Sequence, residues 1–353
     1  MKQHSIIFLL LVMPAAVFAQ GITGTWASAS STGFTAREGL TSAVVQGKIY
    51  VMGGLHTDAL NTLEVYDPTT DTWSTPSTTG TFTARFGLTS EVINDKIYVF
   101  DGLSAGVSTD LNTLEVFDPA TNHWSTPTTN GTNIPCDFAA SAIVNGKIYI
   151  MGGSVPGAYI NTLQVFDPVA NSWSTPSTTG TFTPRNGLTA SVVNGMIYAI
   201  GGYNSTGYLN TVEVFDPATN TWSTPSTTGT FTARTQLASI VLDGKIFAIG
   251  GETGGAYLNT VEVFDPSTNT WSTPSTTGTF TARGDLTASV VNGKIYALGG
   301  YGLPLGYLNT NEYFTPTSSS VSTGQDTPNS LLFPNPASQV LHIELPAGRL
   351  SPP

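Results

Sequence analysis

Residues 188–223, LTASVVNGMIYAIGGYNSTGYLNTVEVFDPATNTWS, form one complete unit of a pattern that recurs along the chain. The unit begins with a short apolar run, and the Asn194-Gly195 dipeptide that follows is a strong signal for a two-residue β-hairpin. The pair Gly201-Gly202 ends a second apolar run, and Asp216-Pro217 supplies a turn, because proline fixes φ and aspartate bonds its own backbone. Val, Thr, Ile and aromatic residues dominate between these signals, which favours strands. The unit predicts four strands, at 188–193, 197–200, 211–215 and 221–223, and a variable loop at 203–208.

The tryptophans give the period of the repeat. They are separated by 47, 51, 49, 49 and 49 residues, and the series accounts for every tryptophan in the chain. A glycine pair recurs with the same period, although Asp101-Gly102 replaces it in the second copy. A period of about 20–50 residues is typical of small units that cannot bury their apolar faces alone and pack against one another. The six tryptophans are Trp26, Trp73, Trp124, Trp173, Trp222 and Trp271.

An apolar run, a Gly-Gly pair, an aromatic-Asp-Pro turn and a tryptophan at fixed offsets together resemble the kelch repeat over residues 22–316. The resemblance implies an all-β, six-bladed kelch β-propeller with one four-stranded blade per repeat. A linear β-solenoid is the alternative, but it needs atypical polar caps at its ends. Here the ends are complementary, because the last copy lacks a tryptophan strand and residues 23–28 supply a lone one. We therefore predict a propeller domain at 20–316, closed by its N-terminal strand.

The N-terminal segment predicts export. Lys2 precedes an apolar run at 6–12, and residues 17–19 match the small-residue pattern of a cleavage site, so residues 1–19 are predicted to be a signal peptide. The apolar run is too short to span a membrane. We therefore expect a secreted or cell-surface protein of a Gram-negative cell, without membrane insertion.

The C-terminal segment has a different composition from the repeats. Residues 317–330 are rich in serine and threonine and predict a flexible linker. The sequence FPNPAS at 333–338, followed by an apolar run at 340–345, resembles the start of the C-terminal sorting domain of the type IX secretion system of Bacteroidetes. We expect 331–353 to be a truncated start of such a domain; a disordered tail with one incidental strand is the alternative.

Arginine and glutamate recur together in the repeats. One position before the first strand is arginine in five of the six copies, a third-strand position is glutamate in the same five, and the third copy has Cys136 and Gln164 instead. Paired loss predicts structural ion pairs, because a buried charge without its partner is costly. An arginine ring that binds an anion is the alternative. The predicted pairs are Arg37–Glu64, Arg85–Glu115, Arg185–Glu213, Arg234–Glu262 and Arg283–Glu312.

The sequence favours a binding module over an enzyme. His56 lies on a loop that follows a glycine pair, and His123 lies on a loop that follows an Asp-Pro turn. We expect these loops on opposite faces of the disc, so we predict no metal site and no cofactor. Only 10% of the residues are charged and the net charge is −11, which disfavours nucleic acid as a partner.

Two variable positions suggest where a ligand binds. One follows the glycine pair and the other lies two residues after the repeated arginine; in kelch propellers both resemble positions around the mouth of the central channel. Aromatic faces and side-chain acceptors there suit a glycan or protein ligand of a monomeric propeller. The alternatives are ordinary solvated loops, a sugar mutarotase- or epimerase-like enzyme, or a structural spacer. The candidate ligand-binding residues are Tyr203, Gln236, Glu252, Asp285 and Tyr301, and the enzyme alternative rests on Glu252 with Asp285 as an acid–base pair.

Overall fold

The computed structural model describes residues 22–104 and 109–317, which form strands, turns and loops without a helix. The predicted signal peptide, almost all of the linker and the predicted sorting-domain start lie outside the described residues.

Six sheets form the blades of a propeller; five are four-stranded and antiparallel, and the sixth has four antiparallel strands and a short fifth strand. In each blade the strands run in order from the central channel to the outer edge, and the outermost strand carries the tryptophan. Blade 1 comprises Thr41–Val45, Lys48–Met52, Leu63–Asp67 and Thr72–Ser74; blade 2, Thr89–Ile93, Lys96–Phe100, Glu115–Asp118 and His123–Ser125; blade 3, Ala140–Val144, Lys147–Met151, Leu163–Asp167 and Ser172–Ser174. Blade 4 comprises Thr189–Val193, Met196–Ile200, Val212–Asp216 and Thr221–Ser223; blade 5, Ala238–Leu242, Lys245–Ile249, Val261–Asp265 and Thr270–Ser272; blade 6, Thr287–Val291, Lys294–Leu298, Asn311–Thr317 and Thr23–Ser28.

The N-terminal strand closes the ring. Thr23–Ser28 pairs antiparallel with Asn311–Thr317, with Trp26 opposite Phe314, and Ser275–Thr277 adds a short parallel fifth strand at this edge. Trp26 is buried and stacks on Phe280 with the ring centroids 4.5 Å apart. The first strands of neighbouring blades contact each other around the whole ring. The structure thus confirms both the six-bladed fold and its closure by the N-terminal strand.

The core lies between blades. One cluster of buried side chains joins Ile200 and Val212 of blade 4 to Ile246 and Phe264 of blade 5, and equivalent clusters occur at other junctions. No blade buries its apolar surface alone, which is the physical reason for the repeat.

The loop between the second and third strands is more ordered than its sequence predicts. In blades 2 to 6 the residues after the glycine pair form a two-stranded ribbon, so the segment predicted as a variable loop at 203–208 is a small hairpin. The ribbons are Leu103–Ser104 with Thr109–Asp110, Ser154–Val155 with Ala158–Tyr159, Tyr203–Asn204 with Gly207–Tyr208, Glu252–Thr253 with Ala256–Tyr257, and Tyr301–Gly302 with Gly306–Tyr307.

Candidate functional site at the channel mouth

The repeated arginines lie inside the blades. Arg185 is fully buried, and its Nη2 lies 2.5 Å from Glu213 Oε2 of the same blade. Its Nη1 donates to the Gly201 carbonyl at 2.9 Å, its Nε donates to the Thr183 carbonyl, and Glu213 accepts from the Thr183 hydroxyl at 2.7 Å. All five predicted pairs form salt bridges within their own blade: Arg37–Glu64, Arg85–Glu115, Arg185–Glu213, Arg234–Glu262 and Arg283–Glu312. Buried guanidiniums held by so many acceptors are not available to an external anion.

Blade 3 replaces this arrangement with a contact to blade 2. Cys136 is buried where the other blades have arginine, and its Sγ lies 3.5 Å from Oδ2 of Asp101, the residue that takes the place of the first glycine of the pair in blade 2. Asn133, which stands where the sister blades have phenylalanine, donates to Asp101 Oδ1 at 2.8 Å. Burial raises the pKa of Asp101 to about 7 and that of the Cys136 thiol well above its ordinary value. The thiol therefore stays protonated and unreactive.

Two backbone patterns build the mouth of the channel. In every blade the residue after the arginine position forms an antiparallel bridge with the residue after the glycine pair, for example Asn186 with Tyr203 and Thr235 with Glu252. The two variable series of each blade therefore lie side by side on one face, which we name the mouth face. The Asn-Gly-type turns follow the first strand of each blade and the Asp-Pro turns follow the third, and both strands run away from the mouth face. These turns therefore lie on the opposite side, which we name the hairpin face.

A closed circle of backbone hydrogen bonds surrounds the axis at the mouth. The residue two places after each arginine position donates its N–H to the carbonyl of its counterpart in the neighbouring blade, at 2.7–2.9 Å. All of these residues have a positive φ, although only three are glycines. This axial backbone ring consists of Gly39, Gly87, Phe138, Gly187, Gln236 and Asp285.

An aromatic cavity of about 220 Å³ opens beside the axial ring, where blades 3, 4 and 5 meet. Tyr203 lies edge-on to both Tyr159 and Tyr208, with centroid distances of 6.0 and 4.9 Å. Tyr208 donates its hydroxyl hydrogen to Glu252 Oε1 at 3.2 Å across the junction of blades 4 and 5. Aromatic walls with a few polar groups are typical of ligand cavities. The cavity is lined by Phe138, Tyr159, Asn186, Gly187, Tyr203, Tyr208, Thr235, Gln236 and Glu252.

The structure distributes the five candidate ligand-binding residues over neighbouring parts of the mouth. Tyr203, Gln236 and Glu252 line the aromatic cavity. Asp285 lines a smaller axial cavity that Gln236 also borders. Tyr301 lies outside both, in a second aromatic cluster in which its ring is 5.7 Å from Tyr257 and 5.4 Å from Tyr307. The five residues thus share a face but not one cavity.

Sequence reasoning missed several side chains of the cavity. Tyr159 and Tyr208 belong to the second strand of each ribbon, and Asn186 and Thr235 to the position after the arginine. A signal for the tyrosines existed, because tyrosine recurs two residues before an asparagine in copies 3 to 6. The sequence does not reveal that two neighbouring copies combine these residues into one cavity.

Carboxylates crowd the mouth. Burial raises the pKa of Asp285 well above its ordinary value, and the charges of Glu38 and Glu252 raise it further. Burial raises the pKa of Asp110 to about 6, with a contribution from Asp137. In residues 22–104 and 109–317, no group of three acidic, histidine or cysteine side chains is arranged to hold a metal ion.

The described part of the chain has no helix that is long and apolar enough to cross a membrane.

Comparison with known families agrees with this architecture. The KLHDC2/KLHL20/DRC7 Kelch-repeats domain matches residues 87–300, which is more than half of the chain, and the Kelch motif matches residues 36–79 and 282–327. Among curated proteins, no relative matches the chain. The matched family and the six kelch blades together show that the chain belongs to the kelch-repeat β-propeller proteins.

Proposed function

We propose that this chain is a binding module that recognises a protein or glycan ligand with the mouth face of its propeller. The observation that carries the proposal is the aromatic cavity, which combines three tyrosines, a phenylalanine and the side chains of Gln236 and Glu252 at one junction of blades. Kelch propellers are generally interaction modules, and the coarser assignment of protein binding follows from the family. Stacked aromatic side chains contribute much of the binding energy at such surfaces.

Backbone conformation in the axial ring supports a role for its side chains. Phe138, Gln236 and Asp285 have φ values of 49°, 57° and 51°, in the left-handed region, while their three counterparts in the other blades are glycines. A non-glycine residue in this region costs about 1–3 kcal/mol, and such residues cluster at functional sites. The glycine copies demonstrate that the ring forms without these side chains. Their presence at the two cavities of the mouth is therefore explained better by ligand contact than by folding.

The test is a screen of the labelled full chain against a glycan array and a peptide library. The proposal expects a ligand whose affinity falls by about tenfold or more when Tyr203 and Tyr208 are both replaced by alanine. Val169→Ser is the matched control, because Val169 is 95% exposed on the hairpin face. Equal binding by the double variant and the control would show that the cavity is not the site, and no ligand in either screen would favour a structural spacer.

A variant at the axial ring separates binding from stability. Gln236→Gly restores the residue that three sister blades have and removes the left-handed strain. We expect it to keep or raise the melting temperature while it weakens ligand binding. Weaker binding together with a lower melting temperature would leave Gln236 with a structural role only.

An enzyme is the second candidate. Asp285 has a raised pKa beside the charges of Glu38 and Glu252, and carboxyl groups with separated pKa values are the usual arrangement for acid–base work. An exported sugar mutarotase- or epimerase-like activity is the form we consider. Anomer exchange of free sugars followed by NMR tests it, with Glu252→Gln and Asp285→Asn as the variants. An unchanged rate in both would exclude this pair.

We also propose that the chain is exported and then displayed or released by type IX secretion. The proposal rests on residues 1–19 and 331–353, by sequence alone. Mass spectrometry of the mature protein from a Bacteroidetes host tests it. The expected N-terminus is Gln20, and a protein retained in the cell with an intact Met1 would refute export.

A further inference from the structure

Charge divides the two faces of the propeller. Within residues 22–104 and 109–317 the arginines are buried, and the lysines flank the turns of the hairpin face. Four of these lysines form salt bridges with the aspartate of the adjacent Asp-Pro turn, and Lys294 lies 4.4 Å from the centroid of the Tyr313 ring. In the same residues, His56 is the one basic side chain of the mouth face. The carboxylates of that face are Glu38, Asp58, Asp110, Asp137, Glu252 and Asp285.

The aromatic cavity brings this negative charge together with π faces. Glu252 lines the wall beside Tyr203 and Tyr208, and the Tyr208 hydroxyl contacts one of its oxygens. Among the described residues, no salt bridge involves Glu252. A lysine or arginine side chain is attracted to the face of an aromatic ring, and a nearby carboxylate strengthens this attraction.

We infer that the aromatic cavity binds an arginine or lysine side chain from a basic segment of a protein partner. The charged group lies between the tyrosine rings and the Glu252 carboxylate, where the described residues supply no cation. This inference rests on the proposed function and specifies the ligand.

The distribution of carboxylates favours a protein segment over an amino sugar. Asp58, Asp110 and Asp137 belong to blades 1 to 3, whereas Glu252 belongs to blade 5. A peptide with several basic residues can match such spread charges, while a single amino sugar fills only the cavity. Electrostatic complementarity of this kind favours the correct partner and increases its rate of association.

The experiment measures fluorescence polarisation of labelled peptides with the full chain. Three peptides share the flanking sequence Gly-Ser and differ in the central residue, which is arginine, glutamine or glutamate. We expect the arginine peptide to bind best, the glutamate peptide to bind worst, and added salt to reduce the difference.

Two charge-neutralising variants locate the effect. Glu252→Gln removes one negative charge from the cavity and keeps an acceptor for Tyr208. Asp243→Asn removes one from the hairpin face and gives the Asn-Gly turn that three sister copies have. We expect Glu252→Gln to lower the affinity for the arginine peptide by about tenfold or more and to leave the affinity for the glutamine peptide almost unchanged. Asp243→Asn is expected to change neither.

Other outcomes separate this inference from the proposed function. Equal affinity of the glutamate and arginine peptides, or equal effects of the two variants, would overturn the cationic ligand. A glycan or neutral peptide that loses affinity in Tyr203→Ala, with no gain from arginine, would overturn the inference and leave the proposed function in place. If binding of every probe is insensitive to Tyr203→Ala, both are wrong.

Discussion

The buried ion pair of blade 4 allows a sharp test of how the blades are stabilised. Glu213→Gln keeps one oxygen for the Thr183 hydroxyl but places an NH₂ group where Oε2 accepts from Arg185 Nη2 at 2.5 Å and from the Thr183 N–H at 3.1 Å. Arg185 is fully buried, so its charge then lacks a partner. Breaking a buried pair in this way costs about 3–5 kcal/mol. Urea denaturation followed by tryptophan fluorescence measures the free energy of unfolding.

A double-mutant cycle gives the coupling within this pair. Arg185→Cys with Glu213→Gln reproduces the residues of blade 3. We expect the double variant to lose about 2–3 kcal/mol less free energy of unfolding than the sum of the losses in the two single variants. The control is Lys245→Gln, which breaks a half-exposed surface pair with Asp265 and is expected to cost about 0–1 kcal/mol. Additive single effects, or a Glu213→Gln cost close to that of the control, would refute the reasoning.

Three further predictions concern closure, buried charge and backbone space. Trp26→Ala removes a buried ring that is 4% exposed and stacked on Phe280, and it should lower the free energy of unfolding by about 3–5 kcal/mol; a change under about 1 kcal/mol would mean that the N-terminal strand does not hold the ring closed. Asp101 has a pKa raised to about 7 in the folded chain, so the folded chain holds an extra proton and its stability falls as the pH rises. In urea titrations between about pH 5 and pH 8, the free energy of unfolding of Asp101→Asn should rise by roughly 2–3 kcal/mol relative to that of the wild type. Parallel pH profiles of the two proteins would contradict this. Gly180 and Gly195 share a φ of 77°, but a Cβ at Gly180 would lie 2.0 Å from the Trp222 carbonyl oxygen, while one at Gly195 meets nothing within 4 Å. Thermal melting should therefore show a much larger fall in melting temperature for Gly180→Ala than for Gly195→Ala. Equal falls would show that φ alone determines the cost of the substitution.

The fold follows from the sequence because its signals are local and repeated. The hairpin dipeptide, the glycine pair and the Asp-Pro turn predict the strand ends to within about a residue. Each signal alone is weak, but the six copies repeat the same signals at the same spacing. The loop at 203–208 is the exception, because its two-residue strands are too short to show alternation. Closure was also predictable, since the N-terminal and C-terminal fragments complement each other around Trp26.

The candidate site was only partly predictable, because it depends on contacts between copies. Variation at two positions pointed to Tyr203, Gln236 and Glu252, which do line one cavity. Tyr208 escaped because its role arises from the neighbouring blade, where Glu252 accepts its hydrogen bond. Asp101 was recognised as a substitution in the glycine pair, but its contact with Cys136 crosses from blade 2 to blade 3 and has no signature within a single repeat.

The most direct test of the proposed binding face is a crystal structure of the full chain with the tightest ligand found in the glycan and peptide screens. We expect the ligand to contact Tyr203, Tyr208 and Glu252, beside the axial backbone ring. A ligand bound at the hairpin face, or along the outer edge of the blades, would contradict the assignment of the mouth face as the binding surface.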